Sequence, residues 1–180
     1  MQTEIIIAGF GGQGVLFAGQ LLAYAAMEED KAVTWIPSYG PEMRGGTANC
    51  AVVVADEEIG SPFVKHPQAA IVMNLPSLDK YEALVAPGGV LVVNTSMVDR
   101  PCQRPDITVV EIPANEIAER LGDRRMTNMV LLGGLLAQLP VVSMEAVDKA
   151  LKEHLPERHQ KLLPLNRQAM QEGASQPARV

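Results

Sequence analysis

Apolar residues in this chain gather in short unbroken runs separated by glycine and proline. Glu4-Ile5-Ile6-Ile7-Ala8 is β-branched without polar alternation, and Ala69-Ala70-Ile71-Val72-Met73, Val90-Leu91-Val92-Val93-Asn94 and Ile107 to Ile112 repeat the pattern. Runs of this kind fit strands covered on both faces, as in a parallel sheet between helical layers. Val15 to Met27 is rich in helix formers and in small residues (Ala18, Gly19, Ala23, Ala25, Ala26), which would let a helix lie close to a sheet. Ala32-Val33-Thr34-Trp35-Ile36 then makes a second strand and completes a βαβ unit over about residues 3–37. Asn49 to Val54 is a further strand, which Asp56-Glu57-Glu58 could fold back on Ile59 as an antiparallel hairpin.

After Ala114 the pattern turns helical. A helix is expected over about Ser77–Val85 and a short one over Asn115–Leu121, closed by Gly122. Thr127 or Asn128 would cap a longer apolar helix ending near Leu139. Ser143 caps the next helix, with Glu145 in its first turn. Residues 157–172 read as helical, kinked or split at Pro164, and 173–180 as a flexible tail. The expectation is one α/β domain over 1–172: a three-layer α/β/α, Rossmann-like fold with a mostly parallel sheet, room for an antiparallel hairpin and a helical C-terminus.

Composition narrows the chemistry. The chain has 180 residues, 47% of them hydrophobic, enough for a core without staples. A net charge of −6 and only 4% aromatic residues argue against a nucleic-acid surface. No stretch reaches the length of a spanning apolar helix and no secretory leader is recognisable, so a cytoplasmic protein is expected. Two cysteines, Cys50 and Cys102, are too few for an iron–sulfur cluster or a structural zinc. His66, His154 and His159 are scattered and read as surface residues; Ser38 and Thr47 lack a base, and no carboxylate or nucleophile–base pair stands out.

Two loops remain. Gly9, Gly11 and Gly14 form G-x-G-x-x-G after a strand and before a helix, where glycines let backbone approach a phosphate and the helix start supplies free N–H groups. A ligand-free strand-to-helix turn is the alternative. An NAD site would want a carboxylate at the end of the second strand, but that strand ends Ile36-Pro37-Ser38, with Asp30 before it and Glu42 well beyond. No Lys-Ser/Thr follows the glycines, so a P-loop fails. The second loop, Ser38-Tyr39-Gly40-Pro41-Glu42-Met43-Arg44-Gly45-Gly46, follows a strand and should share an edge with the first. Arg44 offers a phosphate fork there, or pairs with Glu42. Asn128 reads as a cap or as part of the same binding edge.

Ile5 to Val15, Ser38 to Gly46 and Asn128-Met129-Val130-Leu131-Leu132-Gly133 together resemble the gamma subunit of 2-oxoacid:ferredoxin oxidoreductases, over about residues 3–155. The resemblance implies a complex that oxidatively decarboxylates a 2-oxoacid, passes electrons to ferredoxin and forms an acyl-CoA. It implies partner alpha, beta and, where present, delta subunits, which hold the thiamine diphosphate and the iron–sulfur clusters. The gamma module is then an α/β domain that helps bind coenzyme A and close the active site. On this reading the N–H groups of Gly11, Gly12, Gln13 and Gly14 and the Arg44 side chain hold coenzyme A phosphates, with Gly9, Ser38, Tyr39, Gly45, Gly46 and Asn128 completing the site. A separate gamma polypeptide without ferredoxin-like cysteines inclines the choice of 2-oxoacid to 2-oxoglutarate. A stand-alone dinucleotide-binding module or an NAD-dependent dehydrogenase stays open at this point.

Overall fold

The structure, a computed structural model, describes residues 1–40 and 46–180. Its centre is a seven-stranded sheet: β1 (Gln2–Phe10), β2 (Ala32–Tyr39), β3 (Thr47–Ala55), β4 (Ala69–Val72), β5 (Val90–Asn94), β6 (Thr108–Ile112) and β7 (Ala178–Arg179), in the spatial order β2-β3-β1-β4-β5-β6-β7. β1, β4, β5 and β6 pair in parallel, whereas β3 runs antiparallel to both β1 and β2, and β7 antiparallel to β6.

Helices α1 (Val15–Glu28), α3 (Ala114–Arg120), α4 (Thr127–Gln138), α5 (Met144–His154) and α6 (Leu163–Ala174) cover one face and build the larger core with Ile5, Ile7, Val52, Ile71, Val92 and Val110. The other face packs Ile6, Ala70, Leu91 and Val109 under α2 (Leu75–Tyr81) and the segment carrying Val98, Cys102 and Ile107. The three layers are therefore unequal. α6 docks on α4 at very short range: a Cβ on Gly173 would stand 2.7 Å from the carbonyl carbon of Val130. Only glycine permits that approach, and it seats the end of α6 against the first turns of α4.

Several elements differ from expectation. The second strand does not neighbour the first, because β3 lies between them. β3 is buried on most of its length while every residue of β2 is half-buried or exposed, and β2 carries Pro37, so β3 takes the inner place and β2 the edge. Antiparallel pairing is present, but it comes from β2–β3 and β1–β3 over eight and nine residue pairs; Ile59 belongs to no strand. Pro164 does separate two pieces, a 3-10 stretch at Glu157–Leu162 and α6, in whose first turn it sits. The stretch expected as a tail carries β7, which extends the sheet beyond β6.

Candidate functional site

β1, β2, β4, β5 and β6 all point the same way, so their carboxyl ends form one edge. The glycine turn leaves β1 there. Gly12 and Gly14 have φ values of 92° and 76°, and Gly14 is the residue from which α1 starts without any side-chain cap. Left-handed backbone at two of three successive residues requires glycine. Gln13 braces the turn from inside: its Oε1 accepts the Phe10 N–H at 2.6 Å and its own N–H donates to the Phe10 carbonyl. The Gly11 N–H donates to the Gly46 carbonyl at 2.9 Å, tying the two loops together, and the Gly40 N–H donates to the Thr47 carbonyl across the base of the second.

This corrects the assignment of four phosphate-binding amides. Those of Gly11 and Gln13 are already occupied, the first by the Gly46 carbonyl of the second loop and the second by the Phe10 carbonyl. The N–H groups of Gly12, Gly14, Val15, Leu16 and Phe17 make no hydrogen bond to a described residue. They are the groups left for an anion.

Opposite the turn stands the start of α4. The sequence suggested Thr127 or Asn128 as its cap, but the side-chain cap lies upstream: Asp123 accepts the Arg125 N–H at 2.9 Å and opens a 3-10 turn, Arg124–Met126, that runs into α4. Asn128, inside the first turn and 4% exposed, instead donates from Nδ2 to the Gly14 carbonyl at 3.1 Å. Its Oδ1 accepts the Met129 N–H. The starts of α1 and α4 are thus fastened to each other, and the positive ends of both helix dipoles share one place.

Between them is a cavity of about 460 Å³. Gly12, Gln13, Gly14 and Phe17 form one wall, Asn115 and Arg124 to Asn128 a second, and Leu155, Pro156, His159, Leu162 and Asn166 a third. In a chain of net charge −6, this cavity has two guanidinium groups and no carboxylate in its lining. Arg124 pairs with Glu119 at 2.8 Å, and Arg125 makes a forked pair with Asp123, holding that carboxyl below its usual range. Neither Glu119 nor Asp123 lines the cavity, and each guanidinium has more donors than its pair uses. A second cleft of about 360 Å³ opens on the other flank of the glycine turn, lined by Phe10, Val15, Leu16, Phe17, Tyr39 and Ala48.

Behind the first cavity, fully buried Asn94 at the end of β5 organises the edge. Its Nδ2 donates to the Met73 carbonyl and to Asn115 Oδ1, and its Oδ1 accepts the Ser96 and Ala114 N–H groups. Asn115 reaches the cavity from this support.

Of the residues singled out from sequence, Gly12, Gln13, Gly14 and Asn128 line the main cavity. Gly11 and Tyr39 line the second cleft, Ser38 is exposed on β2, and Gly46 holds Gly11. Gly9 is packed, since a Cβ there would lie 2.9 Å from Met73 Cβ. Arg44 and Gly45, like Glu42, fall outside the described residues. Sequence reading missed Arg124, Arg125, Asn115, His159 and Asn166. The adjacent arginines just before an apolar helix were the one local signal; the other three come from segments whose convergence only the fold decides.

Other reactive groups lie elsewhere. Cys50 is buried in the larger core, and burial pushes its thiol up to about 12. Cys102 is buried in the smaller core on the opposite face, and burial raises its pKa too. The chain's two thiols therefore cannot share a cluster. The arginines flanking Cys102 are engaged, Arg100 with Asp79 and Glu82, Arg104 with Asp106. His154 stacks on Tyr24 with ring centroids 3.6 Å apart, and its nitrogens come near Glu28 and Glu153, a neighbourhood that the scattered histidines did not suggest. Lys149 neutralises Glu28 there. No helix among the described residues is long and apolar enough to cross a membrane.

Comparison with known proteins adds the lineage. Ketoisovalerate oxidoreductase subunit VorA of Methanothermobacter thermautotrophicus is 37% identical over 174 residues, 96% of this chain but 36% of that one, so the chain spans about a third of that relative's length. The keto/oxoacid ferredoxin oxidoreductase gamma subunit of Geobacter sulfurreducens superposes with a TM-score of 0.80 at 32% identity, covering 96% of each chain. The 2-oxoglutarate:ferredoxin oxidoreductase of Magnetococcus marinus, solved with 2-oxoglutarate, coenzyme A and succinyl-CoA bound, gives a TM-score of 0.86 over 96% of this chain and 30% of that one; at 22% identity it speaks for the fold alone. The family model for pyruvate ferredoxin/flavodoxin oxidoreductase matches residues 4–176, from the first strand to the end of α6, and the chain belongs to that family.

Proposed function

We propose that this chain is the gamma subunit of a multisubunit 2-oxoacid:ferredoxin oxidoreductase and that its task is to hold coenzyme A while partner subunits carry out the bond chemistry. The observation that carries the reading is the cavity at the strand edge, where two helix N-termini and two guanidiniums converge with no carboxylate. Such a site favours phosphate. The same lining weakens an NAD dehydrogenase, which needs an acidic group for the ribose hydroxyls.

Thiamine diphosphate and iron–sulfur clusters belong to partner subunits in this reading. Two thiols buried in separate cores do not fit a cluster, and no pair of groups in the cavity has the geometry of an acid–base or nucleophile–base couple. Acyl transfer from the partner's cofactor to the coenzyme A thiol, with the two electrons passing to ferredoxin, then needs from this chain only a fixed position for the phosphates, which directs the thiol. Arg44 joins the phosphate contacts from the second loop, and 2-oxoglutarate is the proposed 2-oxoacid. The chain works in the cytoplasm.

Purification of the chain from its native source, followed by 2-oxoacid-dependent reduction of ferredoxin, tests this. Thiamine- and cluster-bearing chains should co-purify, and activity should require coenzyme A. An active chain isolated without partners, or a complex indifferent to coenzyme A, would overturn the assignment. Within an active complex, an Arg44→Ala variant with unchanged coenzyme A KM would remove that residue from the site.

A further inference from the structure

Away from the glycine turn, the seam between α1 and α5 gathers a second set of groups. Tyr24 and Glu28, one turn apart on α1, face Lys149, Glu153 and His154 near the end of α5. A donor nitrogen of His154 and one carboxylate oxygen each from Glu28 and Glu153 all lie within 4.8 Å of one another. The imidazole is held in place: it stacks on the Tyr24 ring, 6° from parallel, and Gln20 steadies Tyr24 by donating to its hydroxyl at 3.2 Å. Stacking covers a face of the imidazole and leaves its in-plane nitrogens to the carboxylates.

Two carboxylates this close need positive charge between them. Glu28 is the more confined, its side chain only 14% exposed; the Lys149 ammonium pairs with it and, against burial, holds its carboxyl below the usual range. The Lys149 side chain is itself 58% exposed, so the present counter-charge is a surface lysine that can swing into water at little cost. One imidazole and two carboxylates are a donor set for a borderline divalent ion such as Zn²⁺ or Co²⁺, whereas Mg²⁺ and Ca²⁺ favour oxygen alone. Ligands of one such ion stand about 3–4 Å apart, so the three groups close on it by about 1 Å of side-chain movement.

We propose that Glu28, Glu153 and His154 bind a divalent transition-metal ion of the zinc type, that the ion displaces Lys149 from Glu28, and that it staples the end of α5 to α1. The consequence reaches the main cavity, because Leu155 and Pro156 follow His154 directly and form part of its third wall.

The test uses the full chain without an affinity tag, near neutral pH, with Zn²⁺, Co²⁺ and Mg²⁺ as probes. Zn²⁺ should bind in isothermal titration and raise Tm, Co²⁺ should develop a visible d–d absorption, and Mg²⁺ at the same concentration should leave Tm unchanged. His154→Ala and Glu153→Gln should each weaken Zn²⁺ by about tenfold or more. The second variant keeps both the Tyr24 stack and the Glu28–Lys149 pair, so it answers even if the first disturbs the seam. Lys149→Met should tighten Zn²⁺ several-fold, an effect that loss of a merely structural ion pair would not produce. Zn²⁺ should also slow hydrogen exchange across residues 155–162. A native chain that does not bind Zn²⁺, binding indifferent to both ligand substitutions, an equal response to Mg²⁺, or binding that leaves exchange at 155–162 unchanged overturns the proposal.

Discussion

Substituting Gly14 by alanine perturbs the one residue on which the glycine turn, α1 and α4 all depend. Its φ of 76° lies in the left-handed region, which costs an alanine about 1–2 kcal/mol. The added Cβ would stand 2.8 Å from Asn128 Cγ, closer than real Cβ contacts, so Asn128 must move and give up its hydrogen bond to the Gly14 carbonyl. That bond contributes about 1 kcal/mol. The expected loss is therefore about 2–3 kcal/mol, or a fall in Tm of about 4–12 °C for a domain of this size. Gly12→Ala is the internal control: its φ is 92°, but nothing lies within 4 Å of the added Cβ, so only the backbone penalty of about 1–2 kcal/mol applies. Denaturant unfolding of both variants, alone and in an Asn128→Ala background, separates the contributions. In that background only a 3.3 Å approach to the Cβ of residue 128 remains, so the cost of Gly14→Ala should fall close to that of Gly12→Ala. Equal costs for the two substitutions in the native background, or a Gly14 cost indifferent to residue 128, would refute the steric coupling of α1 to α4.

Three further outcomes follow from packing and charge. Asn94→Leu leaves the Ser96 and Ala114 amides, the Met73 carbonyl and Asn115 without their buried partner, and should cost about 3 kcal/mol in denaturant unfolding. Burial works against the Glu29 carboxylate, but the Lys31 ammonium and the Ser143 hydroxyl and N–H outweigh it and hold its pKa down to about 2. Folding thus depresses this pKa from 4.5, so its contribution is complete above pH 4.5 and is lost as pH falls toward 2; Glu29→Gln should flatten stability across that window. Neither Cys50 nor Cys102 should react with a thiol reagent at pH 8 until the protein unfolds, since burial raises both thiols; rapid native labelling of either would contradict the packing.

Fold class, the strand-turn-helix start and the glycine loop are written in local sequence, because hydrophobic period and positive-φ glycines act over a few residues. The unbroken runs at Ile5–Ala8, Ala69–Met73 and Val90–Asn94 did become the central parallel strands. What local pattern could not reveal was strand order: β2 and β3 both read as strands, and only competition for the buried position beside β1 sent the Pro37-bearing strand to the edge. The site divides along the same line. Gly12, Gly14 and Asn128 were visible as a motif, yet the Gly11 and Gln13 amides were already occupied, a matter of which backbone partner arrived from Gly46 and Phe10. Arg124, His159 and Asn166 face the glycine turn only because glycines 133 and 173 let α6 settle against α4. The sequence by itself determined the layers and the anion-binding turn; the tertiary structure decided what stands opposite that turn, because a cavity's far wall is set by close packing between segments more than 100 residues apart in the chain.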